Sequence, residues 1–200
     1  MIRTVEVRSP SATAETAGVV KIVFHILFWS AIVIGLERNV GAAPAGPQIL
    51  PGEVAFRDLP SRDQRVYREL QEGLLEAESR RSTDGRWPSV AALAAAGAPP
   101  FAPDPIDRAH YTWTLAQRDV VINYLGVPAE AGAPSFLLIA IEPEPGTPID
   151  PTVVTDEIHH RLGSGAIIHV STWRGPKLPD GVVAYPSADR GWQRIAAGSN

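Results

Sequence analysis

YTWTL at 111–115, VVINYL at 120–125 and FLLIAI at 136–141 are three apolar runs within 31 residues, linked by AQRD and by GVPAEAGAPS. In the first, Tyr111, Trp113 and Leu115 alternate with Thr112 and Thr114, the period-2 pattern of a half-buried strand. The third run is apolar throughout, as befits a central strand covered on both faces. Links this short suit antiparallel neighbours.

Downstream, a Pro-rich turn at 142–148 leads to DPTVVTDEIHHRL at 150–162. Asp150 as cap and Pro151 at the first helical position predict a second helix over 152–162, ending near Gly163. A strand over 166–173, a turn at 179–181 and a short strand over 182–185 come next. The tail 187–200 is polar apart from Trp192 and reads as loose. Upstream, Ser61 and Gln64 have the spacing of a capping box, and Val66, Leu70, Leu74 and Ala77 form one apolar stripe on a charged helix that stops at STDG, 82–85. The expected fold at 61–186 is therefore α+β. It comprises an amphipathic helix, an antiparallel sheet of about four or five strands, and the second helix packed on that sheet.

Before this domain, residues 37–60 are rich in Pro, Gly and Ala and read as a linker. Before the linker, GVVKIVFHILFWSAIVIGL at 18–36 contains 15 consecutive residues, 22–36, without a formal charge. A membrane span needs about 20 mostly apolar residues, and Lys21 lies near enough to one end to snorkel. A single transmembrane helix is the expectation here, with a cleavable signal peptide, a buried core helix and an interfacial helix as the competing readings. Arg3, Arg8 and Lys21 precede most of the run and only Arg38 closely follows it, so the positive-inside rule leaves a short tail, 1–17, in the cytoplasm. The domain then lies outside the inner membrane, in the periplasm of a cell with two membranes. The lipid bilayer is the first partner, reached through 18–36, and a membrane protein is the second.

Composition narrows the function classes. Residues 1–40 carry 4 basic and 3 acidic groups out of 18 and 22, which leaves 14 against 19, a balance of −5. With no basic patch or tail, nucleic acid is not an expected partner. The chain has no cysteine, which excludes disulfides and thiolate metal sites.

A long helix from Ser61, then Gly85-Arg86-Trp87-Pro88 and a short helix ending at Leu93, followed by a meander of strands, resembles the periplasmic half of type IV pilins and pseudopilins over 61–141. The resemblance implies a helix-on-sheet domain carried by an N-terminal membrane helix. The processed glycine, Phe and nearby Glu that open that helix in those families do not precede Gly18.

No nucleophile elbow, phosphate loop, dinucleotide fingerprint or zinc-protease motif occurs, so the chain reads as non-enzymatic. The one concentration of ligating residues is DEIHH at 156–160. On a helix over 152–162, Asp156 shares a face with His159 at i+3 and His160 at i+4, a spacing that suits zinc or copper with a further ligand or water. The competing reading is surface decoration of a helix end. His169 and His110 are further candidates, although a helix packed on the sheet turns its Asp156 face away from His169. Two functions are compatible with these features: an envelope accessory protein beside a membrane complex, concerned with transition metals, or a pilin-like assembling subunit that ignores them.

Overall fold

The structure, a computed structural model, describes residues 25, 49–103, 110–150, 152–176 and 181–197. Among them no helix is long and apolar enough to cross a membrane. The run 18–36 lies outside the described residues apart from His25, as do the tail 1–17 and most of the linker. The chain divides into two compact units, Met1–Gln48 and Ile49–Asn200. The second unit carries the sheet and the helices that cover it.

Its longest helix, α1 (Ser61–Asp84), buries Val66, Leu70, Leu74 and Ala77 along the stripe that sequence spacing marks. The capping box does not form. Pro60 is the N-cap and makes no side-chain bond, while the Gln64 side chain donates backward to the Leu59 carbonyl at 2.9 Å. Gly85 ends the helix in the left-handed conformation, at φ 71°, where a side chain would be strained. A short helix, α2 (Val90–Ala95), comes next, with Ser89 accepting from the Ala92 N–H. Gly73 marks where α1 passes the Pro99–Phe101 loop. A Cβ there would overlap the Pro99 carbonyl and the Phe101 ring.

The strands are β1 (Glu53–Ala55), β2 (Tyr111–Arg118), β3 (Val121–Pro128), β4 (Ser135–Ile141), β5 (His159–Arg161), β6 (Ile167–Gly175) and β7 (Gln193–Ala196). They form one seven-stranded sheet in the order β1-β7-β6-β4-β3-β2, with β5 paired to β6 off that path. The pair β1 and β7 is parallel, so the sheet is mixed. Since β4 lines one side of β6, β5 and β7 share its other side, β5 at residues 167–169 and β7 at 173–174.

This corrects the expected architecture in three places. The sheet is larger and mixed rather than antiparallel, because β1 lies in the expected linker and β7 in the expected loose tail. Residues 182–185 form no strand; Val183 is instead held by Asn123, whose amide donates to its carbonyl at 2.9 Å and accepts from its N–H at 2.6 Å. The second helix is absent. Thr152, Val153, Val154 and Thr155 are four β-branched residues in a row, poor helix formers. The caps around them also close turns rather than start a helix. Asp150 accepts from the Thr152 N–H at 2.8 Å, and Asp156 accepts from the Ile158 and His159 N–H groups at 2.9 and 2.7 Å. The chain then enters β5.

Both faces of the sheet are covered. On one, α1 and the Trp87 to Phe101 segment bury Trp113, Tyr124, Phe136, Leu138 and Ile168. Phe101 lies 5.3 Å from both the Trp113 and Tyr124 rings, and the Tyr124 hydroxyl donates to the Pro88 carbonyl at 2.7 Å. On the other face, Trp192 closes over Leu137 and Ile139, with Val183 and Trp173 at the margin.

Candidate functional site

The turn from Leu162 to Ala166 folds β5 back onto β6. The Leu162 N–H donates to the Ala166 carbonyl at 2.9 Å, and the Gly165 N–H to the Leu162 carbonyl at 2.8 Å. The resulting register pairs His159 with His169 and His160 with Ile168. Successive strand residues point to opposite faces, so the two adjacent histidines part company. His159 meets the His169 ring at 5.5 Å between centroids and 76° between planes. His160 turns toward α1 instead, where its Nδ1 lies 2.6 Å from Glu78 Oε1.

Of the residues singled out in the sequence, the structure thus brings together Asp156, His159 and His169, and takes His160 elsewhere. The Asp156 oxygens lie 3.0 and 3.1 Å from His159 Nδ1. A carboxylate only accepts, so Nδ1 carries the proton, and whenever the ring is neutral Nε2 keeps its lone pair. The Arg161 guanidinium fixes the loop before β5 by donating to the Val153 carbonyl at 2.9 Å. Among the described residues, no group of three or more His, Cys, Asp or Glu is placed to hold a metal ion. His159 and His169 are a pair, each half-buried.

His110, at φ 45°, is far from this pair. It lines a cavity of about 590 Å³ with Pro99, Pro100, Phe101 and Tyr111. Glu69 and Thr112 line that cavity too, whereas Asp156, His159, His160 and His169 do not.

Electrostatics favour an ionised Asp156 carboxylate and hold the His169 ring toward its neutral form. The Ile158 N–H, then the His159 side chain and N–H, hold the Asp156 carboxyl down to about 2. Burial, followed by the nearby His159 and Arg194, holds the His169 imidazole below its ordinary value. Arg194 is itself engaged by Glu53, which accepts from Arg194 Nε at 2.9 Å. On the opposite face, the hydrogen bond with Glu78 raises the His160 pKa against the opposing effect of burial.

The His160–Glu78 pair has a testable consequence. A raised folded pKa means that the stabilisation is fully present below the unfolded value and fades as pH climbs through the folded one. His160→Ala should therefore lower stability by about 1–2 kcal/mol near pH 6 and by clearly less at pH 9. Urea midpoints at the two pH values measure this. Equal losses at both would show that the imidazole charge contributes nothing.

The role of His169 was legible in principle. GSG at 163–165 between HHR and a β-branched strand is a hairpin signal, and a hairpin with that turn lays His159 on His169. Residues 54–200 match the model of the Family of unknown function (DUF6162), and the chain belongs to that family. No curated protein and no solved structure matches it.

Proposed function

We propose that this member of the family is a non-enzymatic accessory protein of the cell envelope, held at the inner membrane by the apolar run 18–36 and working beside a membrane-protein partner through the unit Ile49–Asn200. The observation that carries this reading is the division of the chain between Gln48 and Ile49, inside the stretch rich in Pro, Gly and Ala. Beyond it lies a unit whose sheet is covered on both faces from its own sequence. In this reading the unit closes its own core and the apolar run meets lipid.

Two further features support the reading. Three of the buried polar side chains have structural partners: Ser171 accepts from Trp173 Nε1, Thr172 from Gln71, and Asp63 lies 3.3 Å from Arg174. The stripe of α1 is fully used against the sheet, leaving Leu75 as its exposed large apolar residue. A pilin-like subunit that assembles through this helix would keep an apolar face for its neighbours, which favours the accessory role over assembly.

The test is topological. A phosphatase fused after Asn200 should be active only outside the cytoplasm, the protein should stay with the membrane through alkaline washing, and its N-terminal residues should be retained. Activity confined to the cytoplasm, or a chain beginning near Gly46, would overturn the reading.

A further inference from the structure

We propose that His159 and His169 are the two protein ligands of a single divalent transition-metal ion, zinc or copper(II), with Asp156 as the carboxylate that orients His159. The site lies on β5 and β6, on the face away from α1.

The geometry is that of two rings able to share one ion. An imidazole nitrogen binds zinc at about 2.0–2.1 Å. Adding about 1.1 Å from nitrogen to ring centre and a tetrahedral angle of about 109° places two such rings about 5.2 Å apart, centre to centre. The observed separation is 5.5 Å. Rotation about the side-chain bonds is what would aim the two lone pairs at one ion.

The donor chemistry selects the ion. Both donors are imidazoles, borderline ligands that suit zinc and copper(II). The chain has no cysteine, and its one methionine is Met1, so softer donors are scarce. Asp156 occupies the position that carboxylates take behind metal-bound histidines, accepting from the ring nitrogen that does not bind. It thereby fixes the tautomer and raises the basicity of the other nitrogen. The guanidinium of Arg194, which lies near the pair, is engaged by Glu53.

Two imidazoles leave a coordination shell open. No third protein donor joins them among the described residues, so water or a donor from another molecule completes it. A shell completed in this way suits an ion that is to be passed on. His160 takes no part, since its Nδ1 faces Glu78 across the sheet.

The experiment uses the tag-free full-length protein in detergent micelles at pH 7.5, titrated calorimetrically with zinc chloride and, separately, loaded with copper(II) for electron paramagnetic resonance. The wild type should bind one ion per chain, and its copper spectrum should show coupling to two imidazole nitrogens. His159→Ala and His169→Ala should each lower zinc affinity at least tenfold and reduce the coupling to one nitrogen. Asp156→Asn should weaken binding by about 10–100-fold while keeping two-nitrogen coupling. His160→Ala and His110→Ala should bind as wild type. His159→Gln and His169→Gln, which keep the side-chain volume, must reproduce the alanine result with unchanged far-ultraviolet circular dichroism. Absence of saturable binding would overturn the proposal, as would wild-type affinity in either His159 or His169 variant, or loss of binding on His160→Ala alone. None of these outcomes depends on where the membrane places the domain.

Discussion

Trp192→Ala lowers the stability of the Ile49–Asn200 unit by about 3–5 kcal/mol, the range for removing a buried tryptophan. The indole is 2% exposed and forms one buried cluster with Leu137 and Ile139, both 0% exposed. Its seat is shaped for it: a Cβ on Gly175 would come within 2.7 Å of the ring, so Gly175→Ala should itself cost about 1–3 kcal/mol by overpacking. The larger effect comes from geometry as well as area. Trp192 directly precedes β7, the strand that pairs with both β1 and β6, and it closes the face on which Val183 is held by Asn123. Its loss therefore loosens the sheet edge and the cover together. Urea unfolding followed by far-ultraviolet circular dichroism measures the change. A loss below about 1 kcal/mol would mean that the tail contributes little to closing the second face.

Trp192 also shows where sequence reading stops. A long element reports itself through period: the α1 stripe repeats over several turns, and Tyr111, Trp113 and Leu115 alternate within one strand. β4 reports itself by being apolar on both sides, and it is buried from Ser135 to Ala140. Strands of three or four residues have no room for a period. β1 and β7 are of that length, carry Glu53 and Arg194, and find each other across about 140 residues in parallel, a pairing that no local pattern announces. An isolated Trp in a polar tail is the one visible sign.

Legibility of the candidate site turns on the same question of period. Asp156 and His159 meet whether the segment is helix or turn, because i and i+3 are close in both, so that contact was legible. The third member depends on the repeat. A 3.6 repeat adds His160 and excludes His169, whereas a repeat of 2 does the reverse. The β-branched run at 152–155 and the glycines at 163 and 165 signal the repeat of 2. The cap-like Asp150-Pro151 signals the other, although Asp150 in fact closes a turn onto Thr152.

Glu142→Ala is expected to cost about 2–3 kcal/mol at pH 7, at or below the lower limit of what removing one partner of a fully buried ion pair costs, since both side chains keep some solvent contact. Glu142 lies just past β4 and receives Arg81 Nε at 2.5 Å, Arg81 Nη2 at 3.0 Å and Trp87 Nε1 at 2.7 Å. One carboxylate thereby ties the end of α1 and the turn after it to the sheet. Removing it strands a guanidinium that is 26% exposed and an indole N–H in a residue that is 6% exposed. Burial by itself would raise the Glu142 pKa, but the hydrogen bonds from Arg81 and Trp87 and the Arg81 charge outweigh it and hold the carboxyl below its usual range. A depressed folded pKa means that the stabilisation is present above the unfolded value and lost as pH falls through the folded one. Glu142→Gln, which keeps the shape and removes the charge, should therefore destabilise at pH 7 and approach wild type near pH 3. Urea midpoints of wild type, Glu142→Gln, Arg81→Ala and the double variant at both pH values make the measurement. A coupling that is unchanged between pH 7 and pH 3 would show that the contact is held by shape and hydrogen bonds alone, without contribution from the ion pair.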